Sequence, residues 1–132
     1  MKNRKLIIGA GVILLVVVVI LVAILIFNNK TRCNEALAQK MAQNWIMINS
    51  TTYKYDGSDI KLRQNKLLDC DFCYEFMFDF KSSHAGYGDR GGQILAQVLT
   101  PHIIIIDVQN CNVVKAINDG RYDEIKGALV KK

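Results

Sequence analysis

Few residues in this chain interrupt secondary structure: it has a single proline, Pro101, and neither an internal repeat nor a low-complexity segment. Solenoid and tail-like architectures are thereby excluded. There is no G-x-x-x-x-G-K-[ST] run, so its glycines do not form a phosphate cradle opening a helix. Only one C-x-x-C pair occurs, Cys70-Asp71-Phe72-Cys73, and a four-cysteine zinc site would need a second. No metal or cofactor is therefore expected. The formal charge of +5 suggests a nucleic-acid ligand, but much of it lies at the chain ends. Setting aside Lys2, Arg4, Lys5, Lys30, Arg32, Lys131 and Lys132 leaves ten basic residues against twelve acidic ones. The middle of the chain has no basic footprint, and nucleic acid is not an expected partner.

Charge is also missing between Leu6 and Phe27, where no side chain is charged or strongly polar. At the helical rise this run reaches roughly 33 Å, about the hydrocarbon thickness of a bilayer. A cleaved secretory signal would have a shorter apolar region ending at a small-x-small site, and Ala23-Ile24-Leu25-Ile26-Phe27 supplies none. The expectation is a membrane anchor over residues 1–29, spanning 6–27, followed by one domain over 30–132. Lys2, Arg4 and Lys5 make the N-terminal flank more positive than Lys30 and Arg32, which Glu35 follows. That asymmetry places the N-terminus in the cytoplasm and the domain outside it. In that setting the four cysteines, Cys33, Cys70, Cys73 and Cys111, are disulfide candidates, with three pairings open.

Beyond the anchor, Thr31 or Asn34 is placed to cap a helix running to Asn49, with Leu37, Met41, Trp45 and Ile48 as its apolar stripe. Ser50-Thr51-Thr52 should end it. Tyr53 and Tyr55 then alternate, and Asp56-Gly57-Ser58-Asp59 reads as a turn leading into Ile60 and Leu62. Cys73 to Lys81 is the clearest strand, since Tyr74, Phe76, Phe78 and Phe80 share one face. Gln93 to Thr100 and His102 to Gln109 follow as two strands separated by Pro101, and Val113 to Ile117 as another after an Asn110-Cys111-Asn112 turn. The unbroken Ile103 to Ile106 run suits a strand covered on both faces or one flattened against a partner, and coverage by the helix and the chain ends is the expectation. Asp119-Gly120 turns the chain into Tyr122 to Val130, a short helix or a strand. The fold class is α+β, with one amphipathic helix on an antiparallel sheet of four to five strands. That layout resembles a cystatin-like domain.

Eleven residues, Ser82 to Gly92, separate the aromatic strand from the next, where a hairpin needs about two to five. Four glycines accompany His84, Tyr87, Asp89 and Arg90: a titratable ring, a phenol, a carboxylate and a guanidinium. These four and His102 are the candidate binding residues. The run Phe80-x-Ser82-Ser83-His84-Ala85-Gly86-Tyr87-Gly88-Asp89-Arg90-Gly91-Gly92-Gln93, with Ala96-Gln97-Val98-x-Thr100-Pro101-His102, resembles a block in a family of small, uncharacterised, often membrane-anchored microbial proteins. The likeness continues through Asp119-Gly120-x-Tyr122-Asp123-Glu124. It implies an anchored domain and no particular chemistry.

Four functions compete. An exposed loop carrying Tyr87 and Arg90, residue types favoured at binding hot spots, suits recognition of a membrane or envelope protein. An enzyme would require His84 and Asp89 to act with a serine or cysteine, or Cys70 and Cys73 to act as a dithiol. Zinc binding meets the ligand shortage noted above. Protease inhibition follows from the layout alone, since Gln97-Val98-Leu99-Thr100-Pro101 departs from the Gln-x-Val-x-Gly loop of cystatins. Recognition by the domain, with the bilayer as partner of residues 6–27, is the leading expectation.

Overall fold

The alanines of the first domain helix set the distance between helix and sheet. In the computed structural model, which describes residues 14–24 and 33–131, the helical residues 14–24 are α1 and this helix, α2, spans Glu35–Asn49. Asn34 caps it by accepting the Leu37 N–H at 2.9 Å, satisfying one of the orphan donors of the first turn. The residues it buries are Ala38, Ala42 and Ile46, not the expected stripe of Leu37, Met41, Trp45 and Ile48. The two stripes are offset by about one residue because the sheet side is filled by phenylalanines. At positions 38 and 42 a methyl group is all the space beneath the helix accepts, and only at Ile46 is there room for more. Leu37 and Trp45 flank the contact, while Met41 and Ile48 are exposed.

Ser50 ends α2 and caps α3, Thr51–Asp56, by accepting the Tyr53 N–H at 3.2 Å. The expected alternation at Tyr53 and Tyr55 is therefore helical. The expected turn at 56–59 is instead the start of β1, Gly57–Leu67, with a bulge where Asp59 takes a φ of 57°. β2 is Cys73–His84, β3 Gln97–Gln109, β4 Asn112–Asn118, β5 Tyr122–Asp123 and β6 Ala128–Leu129. They form one antiparallel sheet in sequence order, six strands in place of four to five. The added strands are the two-residue β5 and β6, which carry too few residues to show a period. Pro101 does not divide β3. β4 pairing begins only at Ile104, so at Pro101 β3 has β2 as its sole neighbour, where a missing donor is tolerated.

Phe76, Phe78 and Phe80 of β2, with Ile104, Ile106 and Val108 of β3, make the inner face of the sheet. Each fully buried side chain of this kind contributes about 2 kcal/mol before conformational entropy is counted. Ile103 and Ile105 point to the other face and are only half-buried, so the isoleucine run is covered on one face and not both. The β3–β4 connection is a two-residue turn with Asn110 at φ 49° and Cys111 at φ 62°, the left-handed pair that suits strand twist. Two disulfides are formed. Cys33–Cys111 ties the start of α2 to that turn across 78 residues, and Cys70–Cys73 closes the β1–β2 connection.

The chain divides into two units, one ending at Arg32 and one beginning at Cys33. Residues 14–24 of the first are helical, with Leu14, Val16, Ile20 and Leu21 exposed. Among the described residues no helix is long and apolar enough to cross a membrane. The rest of the expected span 6–27 lies outside the described residues.

Candidate functional site

Along the inner face the apolar stripe ends at Phe80 on β2 and Ile104 on β3. The next inward positions are Ser82 and His102, so the core passes into a polar network where the glycine-rich loop begins. β2 runs on to His84, and residues 85–96 form the loop proper.

Two hydrogen-bonded clusters hold this loop. In the first, Arg90 is 3% exposed and gives Nη1 to the carbonyls of His84, Ala85 and Gly86 at 2.9, 3.1 and 2.9 Å. Its Nη2 meets Asp56 Oδ1 at 2.7 Å, and the guanidinium lies 4.7 Å from the Tyr55 ring centre. The other oxygen of Asp56 takes His84 Nδ1 at 2.8 Å. One carboxylate at the end of α3 thus joins His84 and Arg90, a part-buried arrangement that holds only while every member is present.

The second cluster is built on His102, 2% exposed and stacked on Phe80. Its Nδ1 lies 2.8 Å from Asp119 Oδ2 and its Nε2 2.9 Å from Ser82 Oγ. Asp119 also accepts the Ile103 N–H at 2.7 Å and the Tyr87 hydroxyl at 3.1 Å. Burial works to raise the Asp119 carboxyl pKa. The bonds from His102, Ile103 and Tyr87 and the nearby imidazole charge outweigh it and hold that pKa below 3.8, its ordinary value. Burial and the same carboxylate push the Tyr87 phenol above its ordinary 10.0, so it stays a donor. Tyr87 stacks on Tyr122 at 5.5 Å between ring centres.

Gly88 closes the structure from the other side. Its N–H reaches Thr52 Oγ1 at 2.8 Å, and at φ +73° an added Cβ would lie 2.7 Å from the Tyr122 hydroxyl. Glu124, also buried, accepts the Thr51 and Thr52 N–H groups with one oxygen and Asn118 Nδ2 with the other. It fastens the first turn of α3 to the sheet.

Ser82, His102 and Asp119 have the spacing of a nucleophilic triad without its access. Ser82 is 0% exposed, and its Oγ lies 2.7 Å from the His84 carbonyl. A cleft of about 490 Å³ is lined by His102 and Asp119 but not by Ser82, so no acyl carbon reaches the hydroxyl from it. Nor do His84 and Asp89, the catalytic pair considered from sequence, form a pair. His84 bonds Asp56, while Asp89 accepts the Gly91 N–H at 2.9 Å.

Of the five candidate binding residues, Arg90 and His102 are buried with their polar groups turned inward, so their direct role is to fix the loop. His84 and Tyr87 are half-buried, and Asp89 is exposed. Ile94 in the loop, and Val98 and Leu99 just beyond it, are exposed apolar side chains that sequence reasoning passed over as ordinary strand residues. It also passed over the partners Asp56, Asp119 and Glu124, and weighed Ser82 only as a nucleophile. Asp56 and Asp119 each precede a glycine and read as turn residues, and they meet their partners across 34 and 17 positions. Comparison with known proteins adds no further constraint: no protein-family description, curated protein or solved structure matches the chain.

Proposed function

We propose that the domain is a recognition module, held at the outer face of a membrane by the apolar N-terminal segment, that docks a membrane or envelope protein through the rim of the glycine-rich loop. The observation that carries this reading is the combination of a locked base and an exposed apolar rim. Arg90 and His102 hold a long loop in one conformation through buried bonds, while Ile94, Val98 and Leu99 stand beside it uncovered. Ordering the loop before binding removes an entropy cost that a mobile loop would meet on docking. These exposed apolar side chains, on and beside a loop that also exposes Asp89, offer the mix of apolar and polar groups usual in protein interfaces. The exposed leucine and valine side chains of residues 14–24 support the anchor. The cystatin-like layout serves here as a scaffold for a loop and not as an inhibitor.

The test is capture of the partner by the full-length chain in its own membrane. Ile94→Asp combined with Leu99→Asp is expected to lower capture at least about tenfold, the scale of removing two interface anchors, with no loss of thermal stability. Undiminished capture by a folded double variant would remove this rim as the docking surface.

A further inference from the structure

The two disulfides differ in every respect that governs exchange. Cys33 lies in the hydrophobic core cluster with Cys111 packed against it, and together they close a long stretch of chain. Cys70 and Cys73 close a ring of four residues at the β1–β2 connection. There Cys70 is exposed, and Cys73, 3% exposed, lies outside the core cluster. Phe72, inside the small ring, takes a φ of 57°, a left-handed conformation that a phenylalanine seldom adopts.

We propose that Cys70–Cys73 is a thiol–disulfide exchange site for a protein dithiol, attacked at Cys70, and that Cys33–Cys111 is the permanent crosslink. The partner's thiolate attacks Cys70 Sγ, the Cys70–Cys73 bond breaks, and Cys73 leaves as a thiolate that takes up a proton. The partner's second thiolate then attacks its own sulfur in the mixed disulfide and releases Cys70. Two electrons have passed from the dithiol to this chain, and the partner departs oxidised. The direction reverses with an oxidised partner.

The surroundings allow this cycle without unfolding. Leu67 still pairs with Tyr74 and Cys73 with Gln109, while Leu68 N–H donates to the Cys73 carbonyl at 3.0 Å and Asn110 N–H to that of Phe72 at 3.1 Å. These bonds keep the two sulfurs close in the reduced state. Selectivity comes from Asp69 and Asp71, which flank Cys70, are exposed and form no ion pair among the described residues. Two carboxylates repel a small anionic thiol such as glutathione and favour a dithiol set among basic side chains.

The experiment is graded reduction of the full-length folded protein by dithiothreitol, with alkylation and peptide mapping at each step. Cys70 and Cys73 are expected to be alkylated at least about tenfold faster than Cys33 and Cys111, with the circular-dichroism spectrum unchanged. Equal rates, or Cys33–Cys111 opening first, would overturn the proposal. Two single variants read the attacked sulfur. Cys73→Ser should react with an aromatic disulfide reagent under native conditions, and Cys70→Ser only when unfolded; the opposite order would refute attack at Cys70. Glutathione should reduce the pair more slowly than dithiothreitol by a factor that shrinks in Asp69→Asn/Asp71→Asn. A factor unaffected by that change would refute the selectivity.

Discussion

Arg90 shows how a residue type typical of binding surfaces can serve the inside of a loop. Its guanidinium spans three carbonyls and one carboxylate, so removing it leaves Asp56 half-buried beside His84 with one oxygen unpaired. Arg90→Ala is expected to cost about 3 kcal/mol in urea unfolding and to weaken partner capture through the disordered loop, whereas Asp89→Ala should leave stability within about 0.5 kcal/mol. Asp119 sets an acid limit. Its folded pKa lies below its unfolded one, so its contribution to stability is complete above about pH 4 and is lost as pH falls through the folded value. Thermal melts of Asp119→Asn should therefore show a lower midpoint near neutrality and a shallower fall from pH 5 to pH 2. A parallel fall in both proteins would count against this role for Asp119.

Helix α2 and strand β2 were legible as elements, and their contact was not. Period 2 in Tyr74, Phe76, Phe78 and Phe80 identifies a half-buried strand, and the Asn34 cap fixes where the helix starts. The helical period admits two adjacent stripes, one rich in large side chains and one in alanine. Choosing between them needs the size of the opposing surface, which lies on another element. Ala42 is a direct check: Ala42→Leu adds volume against Phe side chains and should cost about 1–3 kcal/mol by denaturant unfolding, while Met41→Leu on the exposed flank should be neutral. The short elements were the least legible. α3 depends on Ser50 and on Glu124, which reaches it from 73 residues away, so propensity over Thr51 to Asp56 alone favours a strand.

For the molecule as a whole, the sequence places the glycine-rich loop as the segment whose length demands an explanation, and the structure gives its base a purpose. The division of labour within it, Arg90 and His102 as supports and Ile94 to Leu99 as rim, rests on burial that no local pattern encodes. The disulfide pairing was likewise open, since three connectivities satisfy four cysteines. The long Cys33–Cys111 loop should contribute about 4–5 kcal/mol in the chain-entropy account, against about 2 for the four-residue ring. The central claim is that the loop rim docks a membrane or envelope protein, and a photo-crosslinker at Ile94 in the full-length, membrane-embedded chain tests it most directly, with the same probe at exposed Lys126 as control. Irradiation should give one protein adduct from position 94 and none from 126. Adducts to lipid alone, or the same adducts from both positions, would contradict the account.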